Sequence, residues 1–227
     1  MWYKVKRILV GTQQVRPEWN YEYNINFRDY SNINQVKALG WNFRWADSGI
    51  VPAVNQTYWL YNSNYLNEVW WFYWYYQIPH SLSTANKITI SVSWYWPSST
   101  PYAAYANMYL FDGNTSVDNW VIWQFRFGTA WATDGFLLLD SSGTTLWTQN
   151  VGNWASYSWS FTMTIVIDLL NKLITYSTTW KSLSWNKVLT DSNISYIRTL
   201  KALRVGATAY GGSQVNNQIW SAWIKIE

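Results

Sequence analysis

Hydrophobic and polar residues alternate along residues 87–96, which read KITISVSWYW. Ile88, Ile90 and Val92 occupy one set of positions, and threonine and serine occupy the positions between them. A period of two places successive side chains on opposite faces of a strand. The stretch therefore predicts a strand with one buried face and one solvated face.

Similar short runs recur through most of the chain, with turn residues between them. Asp112-Gly113 predicts one turn, residues 140–143 predict a hairpin turn, and residues 170–172 predict another. The remaining predicted strands lie within NMYLFDGN, WVIWQFRFGT, GFLLLDSSGTTLWTQN, SWSFTMTIVIDLLNKLITYSTT, ALRVGATAY and QIWSAWIKIE.

The best helix candidate is DSNISYIRTL, at residues 191–200, with Asp191 or Ser192 as its N-cap. Strands with turn chemistry between them are typical of two packed antiparallel sheets. The pattern therefore predicts an all-β fold, a two-sheet antiparallel sandwich with at most one short helix.

Residues 69–77 read VWWFYWYYQ, in a chain that is 20% aromatic. A strand here would point rings to both of its faces. One set of rings would fill the core. The other set would lie under a loop, in a subunit interface or in a binding surface.

Charge is scarce and unevenly placed: charged residues make up 12% of the chain, about half the usual share. The net charge of +4 comes from four residues among the first sixteen: Lys4, Lys6, Arg7 and Arg16. The other twelve basic residues balance twelve acidic ones, and this neutral body argues against a broad nucleic-acid-binding face. We expect an amino-terminal arm or hairpin at 1–18 and a single sandwich domain at 19–227.

Several classes of site are excluded by composition. The chain has no cysteine, which excludes disulfides, thiolate metal sites and cysteine nucleophiles. The single histidine, His80, has no acidic residue nearby in sequence, and we expect a surface or capping role for it. No apolar run is long enough to predict a membrane span, and the start lacks the pattern of a signal peptide. Any exit from a cell would then use another route, such as lysis.

The order of elements from about 85 to 227 resembles the concanavalin A-like jelly roll, the family of laminin-G-like and lectin-like domains. The resemblance is carried by KITISVSWYW, GFLLLDSSGTTLW, WSFTMTIVIDLLNKLITYS, LKALRVGATAY and IWSAWIKIE. It implies that a strand ending near Asp168 leads into a hairpin. It also implies that the last strand returns beside an early one.

The start of the chain carries a second resemblance. Residues 6–17, KRILVGTQQVRP, resemble an amino-terminal segment of many predicted tail and virion proteins of bacteriophages. The resemblance implies a virion or extracellular-surface location, with other virion subunits or further copies of this chain as partners. Lys6, Arg7 and Arg16 are the candidate attachment residues. The alternative is that the segment forms the first hairpin of the domain itself.

The acidic residues of this chain are not spaced as the jelly-roll resemblance would imply for a glycosidase. Sandwich glycosidases of that superfamily place acidic residues two apart on one strand, so that both face the cleft. No two acidic residues of this chain are separated by a single residue. We therefore expect a protein that is not an enzyme, although distant carboxylates could still meet.

The turn DGNTSVD offers Asp112, Asn114 and Asp118 as oxygen ligands, which calcium accepts. The EF-hand glycine and closing glutamate are absent, and a polar hairpin turn without metal is the alternative. We expect no cofactor unless calcium binds at this turn.

Glycan binding is the chemistry that the aromatic residues suggest. Tryptophan and tyrosine rings stack on the apolar faces of sugars, while amides and backbone groups bind the hydroxyls. The segment SWYWPSSTPY joins a strand end to a proline-rich loop, so Trp94, Trp96 and Tyr102 are the candidate residues. The alternative is that these rings cover the core edge. Because the body is neutral, a neutral or mildly acidic polysaccharide and a small salt effect are expected.

Some tryptophans occupy positions where turn chemistry would favour glycine, and glycine is sparse at 11 residues. A reassigned stop codon in the gene is one hypothesis for this pattern, and a mass matching all 20 tryptophans would exclude mistranslation. The residues concerned are Trp70, Trp71, Trp147, Trp180 and Trp185.

Three classes of function remain. The first is a non-enzymatic phage virion or tail protein, assembled as a homo-oligomer, with a lectin-like sandwich that binds host-surface glycans. The second is a free carbohydrate-binding module or lectin. The third is a glycan hydrolase with non-standard carboxylates.

Overall fold

The computed structural model describes eleven segments of the chain, and the predicted arm at 1–18 lies outside them. They are residues 20–45, 52–55, 59–62, 71–96, 104–113, 124–128, 135–139, 145–150, 159–179, 182–209 and 218–227.

Eight of the described strands form one antiparallel sheet. They are β1 Tyr21–Asn26, β3 Pro52–Asn55, β4 Trp59–Asn62, β6 Lys87–Trp96, β11 Trp159–Asp168, β12 Leu173–Thr178, β13 Ser184–Val188 and β15 Gln218–Ile226. Their order is β13-β12-β11-β6-β15-β4-β3, with β1 also paired to β15. The carboxyl-terminal strand β15 pairs with β6 along one edge, and its other edge is shared by β4 and β1. The last strand therefore returns beside an earlier one, as expected.

The other seven described strands form the second antiparallel sheet. They are β2 Trp41–Trp45, β5 Trp71–Gln77, β7 Ala104–Phe111, β8 Gln124–Gly128, β9 Gly135–Leu139, β10 Thr145–Asn150 and β14 Ala202–Ala209. Their order is β10-β9-β8-β7-β14-β5-β2, so β14 is an inner strand that pairs with β5 on one side and β7 on the other. The two sheets form a jelly-roll sandwich, and the predicted fold class is confirmed.

The helical segments of the described chain are short. A 3₁₀ turn at Phe27–Asp29 and helix α1 at Ile33–Ala38 follow β1, and neither was expected from the sequence. Helix α2, Asp191–Ile197, lies within the predicted range, but its N-cap is Thr190 rather than Asp191 or Ser192. The Thr190 hydroxyl accepts from the Asn193 backbone N–H at 3.1 Å, and the Asn193 side chain accepts from the Thr190 N–H. This reciprocal pairing satisfies two helix-end donors and fixes where α2 begins.

The hairpin between β11 and β12 turns over residues 169–172, as predicted. Asp168 closes it: one carboxylate oxygen accepts from the Asn171 backbone N–H at 2.9 Å, and the other accepts from the Asn171 amide at 2.8 Å. These hydrogen bonds favour the charged form and lower the pKa of Asp168. The pairing of β9 with β10 is also found, with the predicted turn at 140–143 outside the described residues.

The core lies between the sheets and is rich in aromatic rings. The alternating set Ile88, Ile90 and Val92 of β6 is fully buried and faces it. Opposite this set, Trp74 and Trp41 of the seven-stranded sheet are also buried. Ring pairs contact edge to face, with centroids 5.3 Å apart for Phe27 and Trp41 and 5.5 Å apart for Phe43 and Trp74.

Hydroxyl hydrogen bonds link β1 to the opposite sheet. The Tyr21 and Tyr76 hydroxyl oxygens are 2.7 Å apart, and Trp41 Nε1 donates to the Tyr23 hydroxyl at 2.9 Å. The Tyr23 and Tyr76 rings stack with centroids 4.3 Å apart. Burial raises the pKa of both Tyr23 and Tyr76 well above the usual value, because it disfavours the phenolate.

The tryptophans assigned to turns lie in strands wherever the structure describes them. Trp71 begins β5, Trp147 lies in β10 beside a register shift, and Trp185 lies in β13. The Trp185 ring contacts Tyr176 with centroids 6.0 Å apart. A turn requirement for glycine therefore does not apply at these three positions, while residues 70 and 180 lie outside the described segments.

Trp94→Ala is expected to destabilise the fold much more than Tyr95→Ala. Trp94 is 1% exposed within the core, and truncating such a ring costs about 3–5 kcal/mol. Tyr95, the next residue, is half-buried on the opposite face of β6, so its loss is expected to be smaller. Chemical denaturation of both variants measures the difference. Equal losses would contradict the assignment of the two faces of β6.

Candidate functional site on the outer face of the seven-stranded sheet

The candidate site lies on the side of the seven-stranded sheet that faces away from the core. Trp74, Val205 and Met108 are paired across β5, β14 and β7 and are all buried in the core. Side chains alternate along each strand, so the residues on either side of these three point outward. We call the following outward set the outer cluster: Tyr73, Tyr75, Asn107, Tyr109, Phe111, Ala202 and Arg204.

Strand register arranges the outer cluster in rows across the sheet. Arg204 lies between Tyr75 and Tyr109 in one row. In the adjacent row, Gly206 lies between Tyr73 and Asn107. The arginine and the asparagine therefore occupy neighbouring rows on adjacent strands, surrounded by tyrosine rings.

Arg204 is held between aromatic rings. Its guanidinium carbon lies 3.3 Å from the centroid of the Tyr73 ring and 5.3 Å from that of Tyr109. Only 7% of its surface is exposed. Ring faces attract a cation, and they fix the guanidinium plane. The two rings thus hold Arg204 in one orientation within the outer cluster.

Asn107 is a buried amide with unused hydrogen-bonding capacity. It has no exposed surface, and neither Nδ2 nor Oδ1 has a hydrogen-bond partner in the structure as described. Leaving a buried polar group unsatisfied costs about 1–3 kcal/mol. Native proteins keep few such groups, so each one requires an explanation. Asn107 therefore offers one donor and one acceptor to a ligand.

The apolar end of the outer cluster reaches solvent at Tyr75 and at neighbouring Gln77. Tyr109, Phe111 and Ala202 form a small buried cluster that is separate from the main core, and half-buried Tyr75 packs against it. The row ends at Gln77, which is exposed and pairs with Ala202. The outer cluster thus runs from an exposed amide, past tyrosine rings, to the buried Arg204 and Asn107.

The glycan-platform hypothesis requires a correction at Trp94. Its ring is enclosed in the main core between the two sheets, so it has no face for a sugar. The alternation that predicts β6 already places Trp94 on the side of Ile88 and Ile90, and this signal could have excluded it. The Trp96 side chain and Tyr102 lie outside the described residues.

The outward ring at this end of β6 is Tyr95. It stacks on Trp220 with centroids 6.3 Å apart and planes within 20°. The Arg28 guanidinium lies 5.0 Å from the Trp220 ring centroid. This group is a second aromatic surface, on the eight-stranded sheet, and serves as a comparison for the outer cluster.

The other predicted site residues are not brought together by the described structure. Asp112 is half-buried directly after β7, whereas residues 114 and 118 lie outside the described segments, as do Lys6, Arg7 and Arg16. The described part of the chain contains no group of three or more His, Cys, Asp or Glu side chains placed to hold a metal ion. His80 stacks on Tyr21, with ring centroids 5.8 Å apart. None of the described helices is long and apolar enough to cross a bilayer.

Sequence reasoning missed Asn107 and Arg204, although both carried a signal. Each is a polar residue inside an otherwise apolar strand, in AYANMYLF and ALRVGATA. Such a residue is ordinary on a solvated sheet face. Only the pairing of β14 with β7 shows that the two are neighbours and that they are buried.

No protein-family model and no curated protein matches the sequence. Solved structures with a similar fold do exist. The chain is similar to peanut lectin, with 14% identity, a TM-score of 0.63 and coverage of 92% of this chain and 97% of that one. It is also similar to the CBM2 module of the evolved Dit of Lactobacillus casei BL23 phage J-1, with 8% identity, a TM-score of 0.60 and coverage of 91% and 96%. A third similar structure is lectin UEA-II complexed with galactose, with 9% identity, a TM-score of 0.60 and coverage of 91% and 98%.

At these identities the likeness shows the fold alone. The fold is the concanavalin A-like sandwich of lectins, and the chain spans nearly the whole of each of these three structures.

Asn107→Leu is expected to leave the free energy of unfolding unchanged or to raise it. Leucine is the apolar side chain closest in shape, and it removes an amide whose burial without partners costs about 1–3 kcal/mol. Chemical denaturation measures the change, with Asn42→Leu, at an exposed position of β2, as the control. A marked loss of stability in the Asn107 variant alone would show that the amide supports the fold.

Proposed function

We propose that the protein is a non-enzymatic, carbohydrate-binding β-sandwich that belongs to a phage virion or tail and binds a surface polysaccharide through the outer cluster. The observation that carries the proposal is the Asn107 amide, buried among tyrosine rings with both polar atoms unsatisfied. The lectin-like fold supports it.

The chemistry of the outer cluster suits a sugar. Pyranose rings present apolar C–H faces, and tyrosine rings such as Tyr75 provide matching surfaces. Sugar hydroxyls both donate and accept hydrogen bonds, and the Asn107 amide offers one group of each kind. Ligand sites in proteins typically combine an apolar lining with a few placed polar groups. The outer cluster has this composition.

The absence of carboxylates on the sheet supports a binding role rather than hydrolysis. The sequences of the seven strands that form this sheet contain no acidic residue. Hydrolysis of a glycosidic bond generally uses two carboxyl groups that flank it. A ligand bound against these strands would meet amide, hydroxyl and guanidinium groups.

A virion or tail location has two supports. One solved structure of similar fold is a CBM2 module of a phage Dit. The other is the basic start of the chain, with its resemblance to phage virion segments. We propose that Lys6, Arg7 and Arg16 attach the sandwich to other virion subunits or to further copies of this chain. A free carbohydrate-binding module is the second candidate, favoured by the likeness to peanut lectin.

Purified protein is expected to be retained by at least one bacterial surface polysaccharide, with or without a calcium chelator. Asn107→Leu should abolish retention, because the replacement removes both hydrogen-bonding atoms while keeping the side-chain shape. Tyr95→Ala should keep it, because that residue lies on the other sheet. Affinity electrophoresis against a polysaccharide panel measures all three proteins.

The reverse pattern, with loss only in the Tyr95 variant, would move the site to the Tyr95–Trp220 surface. Retention of none of the polysaccharides would overturn the proposed function.

Deletion of residues 1–17 is expected to leave a folded sandwich that no longer joins its parent particle. The reason is that this segment holds the unbalanced basic charge and ends at Pro17. Circular dichroism measures folding, and mass spectrometry of purified particles measures incorporation. An unfolded truncation would instead make the segment an internal part of the domain.

A further inference from the structure

The eight-stranded sheet also has a face that points away from the core, and small polar side chains line it. Ile90 of β6 and Ile165 of β11 are buried in the core, so the residues on either side of them along each strand point outward. Register aligns these outward residues in rows across six adjacent strands, from β13 through β12, β11, β6 and β15 to β1. We call this surface the hydroxyl face. Its middle row is Asn24, Trp223, Ser91, Thr164, Ser177 and Ser184.

The hydroxyls at the centre of this face are held across the strands. In the middle row the Ser91 and Thr164 hydroxyl oxygens are 2.8 Å apart, and in the next row those of Ser93 and Thr162 are 2.9 Å apart. All four side chains are short and half-buried. Ordering long, flexible side chains is a cost of association, and short side chains that are already hydrogen-bonded avoid most of it. A partner can therefore cover the hydroxyl face at little entropic cost.

Charge on the hydroxyl face is confined to its margin and is balanced there. The charged side chains that point outward from the described part of these six strands are Glu22, Lys87, Asp168 and Lys225. Glu22 is paired directly with Lys225, and Lys87 is paired directly with Asp168. Lys187 of β13 lies on the core side of its strand by register. A partner would therefore meet a neutral centre.

Apolar side chains are exposed at the β13 side of the hydroxyl face. Val188 of β13 pairs with half-buried Leu173 of β12 and is 73% exposed. Leu170, in the adjoining turn, is 70% exposed. Val188 and Leu170 are thus two of the four large hydrophobic side chains that the described structure exposes. Apolar groups gathered at the surface are typical of an interaction site.

We infer that two copies of this chain pack together through the hydroxyl face, sheet against sheet. A closed dimer requires a surface that complements itself, because both copies contribute the same residues. A serine or threonine hydroxyl both donates and accepts hydrogen bonds, so a surface lined by hydroxyls can meet its own copy with donors opposite acceptors. A surface carrying one sign of charge would instead repel its copy.

The size of the hydroxyl face fits this partner. Six strands about 4.8 Å apart, with the four rows from Lys87 to Ser93 of β6 about 6.8 Å apart, give a face of roughly 800 Å². A stable interface buries about 800 Å² on each partner. Sites for small ligands are concave, whereas short side chains make a shallow surface. Pairing through this sheet leaves each outer cluster, on the other sheet, facing away from the interface, so the inference does not depend on the proposed function.

The mass of the purified full chain, measured by sedimentation over a range of concentrations, tests the pairing. We expect a dimer or a larger assembly with an even number of copies. Thr164→Arg places a cation at the centre of the hydroxyl face. In a monomer that arginine reaches water, whereas in the dimer two of them are brought into the interface, so we expect the dissociation constant to rise about a hundredfold or more.

A matched control and a second variant accompany this measurement. Asn42 is exposed on β2 of the other sheet, so Asn42→Arg adds the same charge elsewhere and should pair like the wild type. Circular dichroism shows whether each variant is folded. If Thr164→Arg fails to fold, Ser177→Arg, on the neighbouring strand in the same row, makes the same change to the face.

A wild-type protein that stays monomeric at every concentration would overturn the pairing, and so would an assembly whose mass neither arginine variant of the hydroxyl face reduces. Two results would also assign the face to a different partner. If the wild type is a monomer and Thr164→Arg is lost from the parent particle, the face binds another virion subunit. If the wild type is a monomer and Thr164→Arg is no longer retained by polysaccharide, the face binds the glycan.

Discussion

The alternation of side chains along β5 is the constraint on which both the core and the candidate site depend. Aromatic residues occupy successive positions of this strand, so rings leave it on both sides. Trp74 and Tyr76 enter the core, while Tyr73 and Tyr75 join the outer cluster. One strand therefore contributes rings to the packing between the sheets and to the surroundings of Arg204. The aromatic run has two uses because a strand has two faces.

Large rings also decide how the sheets are joined. Trp41, Trp74 and Trp94 are each at most 1% exposed and fill the space between the sheets. Tryptophan rings carry an N–H donor that needs a partner when it is buried. On β1, the Tyr23 hydroxyl accepts a hydrogen bond from Trp41 Nε1. Apolar burial is the main favourable term in folding, so a chain with few charges can be stabilised largely by this core.

The outer cluster differs from the core in the kind of polar group that it buries. In the described core, the buried polar atoms without a partner are single indole N–H groups, those of Trp74 and Trp94. On the outer face, Asn107 is buried without a hydrogen-bond partner in the described structure, and Arg204 is buried as a cation between rings. Stability alone gives no reason to retain an unpaired amide there. A ligand with hydroxyls would supply hydrogen bonds to the amide.

The sequence by itself determined most strands from residue 87 onward, the hairpin at Asp168 and the position of α2, because these follow from local alternation and turn chemistry. It did not place β1 to β4, which lie in the less regular first part of the chain. The alternation of side chains along β6 also places Trp94 on the same face of the strand as Ile88 and Ile90, which is the face toward the core. The sequence could not determine that β14 lies between β5 and β7, since this order joins segments far apart in the chain. Only that pairing brings Arg204 and Asn107 together. The candidate site was therefore decided by tertiary structure, because register across strands, rather than spacing along the chain, determines which residues meet.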